Sequence, residues 1–293
     1  MAISGAAPSM LDVRPLDLTT EGLACTAELL RAVFPAAPHI TPDYLDRLYN
    51  GNPLGATWGF SAFDDGELVG HTVNIAVETR LFGEVEPGYW PFQLATRPGY
   101  RGKGLFSTLM EHSMARGRVL GCTHAVGVGN DQSTPIFVKK WAYQAVRQLD
   151  VRICLGTAPP HRPGAAPLDL ERVWWRESVA WRLGHPPRPY RVRWRGDTGH
   201  LYASTGRLGV EVEIGAFSRR DLPDDLAPLR AAHPFRLWIG ADPTRDWSRT
   251  LHFDVPKRFW PSPLHLLIYD LTGHERVWDA ERVRFEIVDF DAY

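Results

Sequence analysis

The chain of 293 residues has little cysteine, little lysine and no long apolar run. Its three cysteines, Cys25, Cys122 and Cys154, are odd in number and far apart. That excludes a disulfide framework and a clustered thiolate metal site, so no metal is expected. Each cysteine sits among apolar neighbours and reads as a small core residue. Only Lys103, Lys139, Lys140 and Lys257 stand beside the arginines, a bias that a GC-rich genome explains. The formal net charge of −1 gives no field that would steer nucleic acid or an anionic membrane. No segment approaches the ~20 apolar residues of a spanning helix. The opening "MAISGAAPSMLDVRPLD" has no charged stretch followed by an apolar one, as a secretory signal would. These absences lead us to expect a cytoplasmic protein with no nucleic-acid or membrane partner.

What is present is ordinary globular material, 44% apolar. Thr19–Phe34 has Leu23, Ala27, Leu30 and Phe34 at helical spacing, with Thr20 as its cap. Thr41–Asn50 starts a second helix with proline in its first turn. Residues 56–96 read as three strands, turned at Asp64-Asp65-Gly66 and near Phe82-Gly83. Leu105–Arg116 is helical, Thr123–Asn130 a short buried strand, the run from Ser133 helical again, and residues 143–155 a strand. Strands and helices in this order predict a mixed α/β sheet over about residues 12–155.

"GTAPPHRPGAAP", residues 156–167, is a Pro/Gly/Ala linker and the expected domain boundary. Beyond it we expect a tryptophan-rich helix in 168–185, three strands, a helix in 221–233, and three more strands ending in "VRFEIVDFDAY". This second half is also α/β but has no glycine-rich turn.

The most pointed stretch is "LATRPGYRGKGLFSTLMEHSMARG", Leu94–Gly117. It places Arg101-Gly102-Lys103-Gly104 at the mouth of a helix. A helix N-terminus has unpaired N–H groups and a partial positive charge, and glycines let a phosphate come close to them. Arg101 and Lys103 add charge at the rim. A plain solvent-exposed turn would look the same from the tetrapeptide alone. The chain has neither a P-loop motif nor a dinucleotide fingerprint at this turn.

"QLATRPGYRGKGLFSTLM" and "GVGNDQSTPIFVKKWAY" together resemble the GNAT superfamily of acetyl-CoA-dependent N-acyltransferases, over about residues 12–155. Arg101-x-x-Gly104-x-Phe106 stands for its strand–helix signature, and Asn130, Ser133, Phe137 and Lys139 for its second motif. The resemblance implies that backbone N–H groups from Arg101 to Leu105, including Gly102, Lys103 and Gly104, bind the pyrophosphate of coenzyme A. It implies that the pantetheine arm lies along Pro91–Thr96, touching Leu94, Ala95 and Thr96, and that a backbone N–H near Ala95 meets the thioester carbonyl. Asn130 would contact the cofactor arm, with Ser133 and Phe137 in the same motif.

Two departures stand out. Phe106 replaces the usual glycine or alanine, so its ring must point away from the pyrophosphate. Phe137 replaces a tyrosine that many relatives use to protonate the departing thiolate, so water, Tyr143 or another hydroxyl must do so. For the base that takes the amine proton, the candidates are His71, Glu84, Glu86 and the terminal carboxylate of Tyr293. Tandem relatives carry a second, degenerate lobe, and residues 168–293 resemble one. The resemblance thus implies three parts: an acetyl-CoA-binding domain in 1–155, a linker in 156–167 and a degenerate lobe in 168–293. The expected activity is acetyl transfer from acetyl-CoA to a primary amine of a small molecule, an amino-sugar or aminoglycoside-like compound. The alternatives are transfer of another acyl group, or a non-catalytic acyl-CoA-binding module. Trp174, Trp175, Trp181, Trp194, Trp238 and Trp260 fill the core or line an acceptor site, where Arg258, Phe259 and Trp260 would form a wall.

Overall fold

The computed structural model describes residues 11–55, 57–156, 158–159, 161–162, 166–184, 189–206, 209–229, 233–259 and 262–290. By compactness the chain divides into unit 1, residues 1–76 and 89–122, and unit 2, residues 77–88 and 123–293.

Unit 1 begins with β1 (Asp12–Pro15), α1 (Thr20–Val33), α2 (Pro42–Asn50) and β2 (Trp58–Asp64). Both helices start at threonine caps: Thr19 accepts from the Gly22 N–H and Thr41 from the Tyr44 N–H. The first cap is thus one residue earlier than the sequence suggests. β3 (Glu67–Leu81) and β4 (Glu84–Thr96) follow, and each contributes residues to both units. The turn between β2 and β3 has Asp65 and Gly66 both at positive φ, 47° and 84°, as a two-residue hairpin requires. β1 pairs antiparallel with β2, and β2 antiparallel with β3. α3 (Leu105–Val119) seats Leu105 and Leu109 on Ala62 and Val69. Gly70 permits this close seat, because a Cβ there would lie 2.8 Å from a Leu105 methyl carbon.

Unit 2 continues with β5 (His124–Gly129), α4 (Thr134–Trp141), β6 (Gln144–Gln148), β7 (Asp150–Leu155), β8 (Leu170–Arg172) and α5 (Arg176–Leu183). It is completed by β9 (Arg191–Arg195), β10 (Thr198–Ser204), β11 (Val210–Ser218), β12 (Phe235–Ala241), β13 (His252–Asp254), β14 (His265–Asp270) and β15 (Val283–Glu286). β14 inserts between β5 and β6, antiparallel to both. Its Leu266, Leu267 and Ile268 are all buried, as a strand covered on both faces requires. β9, β10 and β11 form an antiparallel meander, β12 joins β11 in parallel, and β7 runs antiparallel to β12 from Asp150–Gly240 to Leu155–Phe235. The division by compactness does not fall at residues 156–167. The mixed α/β class expected from the sequence is what the chain adopts.

Three details differ from expectation. The stretch 221–229 is not a helix: Pro223 and Pro228 remove two donors, and the segment instead bonds to Val192 of β9 through the Ala227 carbonyl and the Leu229 N–H. The start of the tryptophan-rich helix is β8, paired with β15 and with the end of β3. The last strand stops at Glu286, where a 3₁₀ turn over Ile287–Asp289 begins. Among the described residues, no helix is long and apolar enough to cross a membrane.

Candidate functional site

In unit 1, the strand-to-helix turn is built from β4 outward. The Arg97 N–H donates to the Val69 carbonyl at 2.9 Å, and its guanidinium bonds Leu68 and Glu67 of β3. A 3₁₀ turn over Pro98–Tyr100 follows, anchored by the Tyr100 hydroxyl donating to Asp64 at 2.6 Å. Gly102 and Gly104 then take φ of 77° and 82°, in the left-handed region. A side chain there would cost about 1–2 kcal/mol in backbone strain. Residues 101–104 are exposed, and α3 has no side-chain cap. The N–H groups of Gly102, Lys103, Gly104 and Leu105 donate to no acceptor among the described residues. The Arg101 N–H is already bound to Pro98, so the open donors begin one residue later than the resemblance implies. Lys103 rests over the Tyr100 ring at 4.9 Å, and the Arg101 guanidinium reaches the Thr96 carbonyl. The arrangement is an uncapped helix N-terminus with a basic rim, suited to an anion of high charge density.

Next to it, β4 is kinked. Gln93 stands at φ 45°, in the left-handed region, inside a strand. Leu94 and Thr96 are half-buried and Ala95 is buried. Gln93 and Tyr49 are the residues that sequence reasoning missed: a tyrosine in an apolar helix face reads only as core. The Tyr49 hydroxyl donates to Gln93 Oε1 and lies 3.5 Å from His71 Nε2. His71 is fully buried, and its Nδ1 has no hydrogen-bond partner among the described residues. Burial pushes its pKa down to about 3, so the ring is neutral at working pH. Burial, with a lesser contribution from Tyr44, likewise holds the Tyr49 proton in place well above the ordinary tyrosine range.

Unit 2 holds the second motif. Asn130 Oδ1 accepts from the N–H groups of Gln132 at 3.0 Å and Ser133 at 2.9 Å, and from the Ser133 hydroxyl at 3.1 Å. Ser133 Oγ in turn accepts from the Asn130 N–H at 3.0 Å. Asn130 and Ser133 thus bond reciprocally in the turn before α4, whose N-cap, Ser133, makes no side-chain cap hydrogen bond. Phe137 is buried, edge-on to Trp141 and to Tyr143, whose ring centroid is 4.9 Å away. Tyr143 thus packs beside Phe137 in unit 2. Glu84 is exposed at the start of β4. Glu86 is held by Arg276, which donates to both its oxygens at 2.9 and 2.8 Å. Tyr293 and Trp260 lie outside the described residues. Arg258 covers the exposed Phe259 ring at 4.9 Å. Trp181 and Trp238 are buried, and the Trp238 N–H donates to Glu286 at 2.8 Å.

Unit 2 also contains a buried ion cluster. Arg245 reaches Glu286 at 2.5 Å, Glu213 and Asp242 at 3.4 Å each, and the Pro159 carbonyl at 2.8 Å. Burial alone would raise Glu213, but Arg245 and the hydrogen bond from His200 outweigh it and hold its carboxyl below the usual range. A cleft of about 450 Å³ opens nearby, lined in part by Leu155, Pro159, His161, Arg162, Arg195 and Arg249.

Residues 15–135 match the acetyltransferase (GNAT) domain family. The chain carries a GNAT acetyltransferase domain. With it, the chain is an enzyme of the acetyl-CoA-dependent N-acyltransferase type. Three solved structures share the fold at low sequence identity. A conserved Enterococcus faecalis V583 protein of unknown function is 12% identical, with 90% of this chain and 73% of that one covered and a TM-score of 0.59. Eis1 from Mycobacterium abscessus is 11% identical, with 95% and 83% covered and the same TM-score of 0.59. A GCN5-related N-acetyltransferase from Kribbella flavida is 14% identical, with 88% and 71% covered and a TM-score of 0.56. No protein of curated function matches this sequence. The residues of the GNAT turn fit the cofactor, since open backbone donors and a basic rim are what a pyrophosphate needs.

Proposed function

We propose that the protein acetylates a primary amine of a small molecule, of the amino-sugar or aminoglycoside-like class, by direct attack on bound acetyl-CoA. The observation that carries the reading is the open turn at Gly102–Leu105, with its unclaimed N–H groups at the head of α3. These donors and the charges of Arg101 and Lys103 would hold the pyrophosphate. Leu94, Ala95 and Thr96 of β4 would line the pantetheine arm, whose amides pair with strand backbone.

In the transfer, the amine nitrogen forms a bond to the acetyl carbonyl carbon and the carbon–sulfur bond breaks. A backbone N–H of β4 steadies the oxygen as negative charge develops. Water, Tyr143 or another hydroxyl protonates the leaving thiolate. The amine's own proton passes to water. Glu84 fits that task less well because it stands exposed at the far end of β4, and Glu86 because Arg276 holds both its oxygens. His71 enters as a neutral hydrogen-bond partner, since a base with a pKa near 3 takes no proton from an amine at pH 7.

We place residues 168–293 in a second, degenerate GNAT-like lobe after the linker 156–167, supported by the meander β9–β11 followed by parallel β12. We keep a cytoplasmic setting as part of this proposal; Cys25 is exposed, Cys122 half-buried and Cys154 buried, so the core position expected of all three cysteines holds for Cys154 alone. The test is thiol release from acetyl-CoA in the presence of separate panels of small amines and of peptides. Release with amino-sugars or aminoglycosides is expected; activity on peptides alone would refute the acceptor class. No thiol release with any amine, despite cofactor binding, would favour the acyl-CoA-binding module.

A further inference from the structure

In unit 1, a glutamine occupies a conformation that suits glycine. Gln93 lies inside β4, one residue before the segment that the proposed function assigns to the cofactor arm, at φ 45°. A non-glycine residue holds such a backbone only when its surroundings over-determine it. The side chain provides the means. Its carbonyl oxygen accepts the Tyr49 hydroxyl, and Tyr49 is itself 1% exposed and fixed in α2. Behind Tyr49 stands His71, 0% exposed and stacked at 21° to the tyrosine ring.

The protonation states fit one directed chain. The Tyr49 hydroxyl spends its proton on Gln93, so its oxygen faces His71 as an acceptor. His71 then carries its proton on Nε2, and its Nδ1 has no hydrogen-bond partner among the described residues. All three groups are neutral, so the chain keeps its direction across the working pH range. The kink matters for chemistry because it changes which backbone N–H groups of β4 face outward on either side of residue 93.

We propose that Tyr49 is a positioning residue of acyl transfer: through the Gln93 side chain it holds the left-handed kink that aims a β4 backbone N–H at the thioester carbonyl. The inference rests on the proposed function and names how that site is kept in shape. Tyr49 touches no reacting atom. Its effect should therefore appear in carbonyl polarisation and in kcat, while cofactor affinity, set largely at the Gly102–Leu105 turn, stays near that of the parent.

The experiment is isotope-edited infrared difference spectroscopy of [1-¹³C]acetyl-CoA bound to the full chain, with the dissociation constant measured on the same samples. The parent should shift the carbonyl stretch to lower frequency. Tyr49→Phe should lose most of that shift while binding within about threefold of the parent. Gln93→Ala, which leaves Tyr49 and His71 in place, should lose the shift likewise. In Tyr49→Phe combined with Gln93→Gly the shift should return, because glycine takes positive φ without an anchor. A parental carbonyl stretch in Tyr49→Phe or in Gln93→Ala overturns the proposal. So does a double variant that stays unshifted although it binds the cofactor. Failure of the parent itself to bind acetyl-CoA would overturn the transferase reading, and this inference with it.

Discussion

The two units solve the problem of buried polar groups in opposite ways. Among the described residues, the buried polar side chains of unit 1 are Thr26, Asn52, Thr57, Ser61, His71, Thr72, Asn74 and Ser113, with no carboxylate or guanidinium among them. Unit 2 buries Asp169, Arg172, Arg182, Glu211, Glu213, Arg236, Asp242, Arg245, Glu286 and Asp289. A buried charge is tolerated only with partners in place, and such clusters fix one arrangement of the chain more than they add net stability. A neutral network is less demanding and keeps its hydrogen bonds over a wide pH range. The difference suits the roles we assign. Unit 1 offers an open turn and a shaped strand to a highly charged cofactor, and its own interior contributes no competing charge. Unit 2 is the frame, cross-linked by ion pairs such as Arg245–Glu286 and Arg276–Glu86.

The comparison breaks most readily at Arg245. Arg245→Leu leaves Glu213, Asp242 and Glu286 facing one another without their cation, and should cost about 3–5 kcal/mol of stability. In unit 1, Ser113→Ala removes one neutral hydrogen bond, to Thr72 at 3.2 Å, and should cost about 1 kcal/mol. Urea unfolding of the two variants measures both; equal losses would erase the distinction between the units.

Acid sharpens the contrast further. Burial depresses His71 in unit 1 and His124 in unit 2, each to about 3. Their neutral forms contribute stability fully above the unfolded value near 6.5, and that contribution is lost as pH falls from there towards 3. In unit 2 the loss is offset. Burial raises Asp289 to about 6, against the attraction of Arg172, so the folded chain binds a proton there before the unfolded chain does, between pH 6 and about 4. Amide exchange corrected for intrinsic rates should therefore show β2 and the first part of β3 losing protection between pH 7 and 4.5 to a greater extent than β15. A larger loss at β15 would contradict this account.

Much of the frame was legible in the sequence because it depends on local chemistry. Asp65-Gly66 demands a tight hairpin, Thr41-Pro42 a helix start, and Arg-Gly-Lys-Gly before an amphipathic run an open helix mouth. What was not legible depends on partners far along the chain. Nothing local says that β14 inserts between β5 and β6, or that residues 221–229 will bond to β9 in place of coiling. The prolines at 223 and 228 were the available warning. In the site, the glycine turn and the Asn130–Ser133 pair were readable from motif spacing. The Tyr49–Gln93 contact was not, because it joins a core-facing helix position to a strand residue forty-four positions away. His71 was noticed as a candidate base, but its burial, which decides its protonation, is a tertiary property.

The most direct test of the central claim is calorimetric titration of acetyl-CoA into the parent chain and into Gly104→Glu. Residue 104 stands at φ 82° in open space, so the substitution strains the turn and places a carboxylate where phosphate should sit. The account predicts micromolar binding by the parent and at least a hundredfold weaker binding by the variant, about 2.8 kcal/mol. Equal affinity in the two proteins, or no binding by the parent at millimolar cofactor, would contradict it.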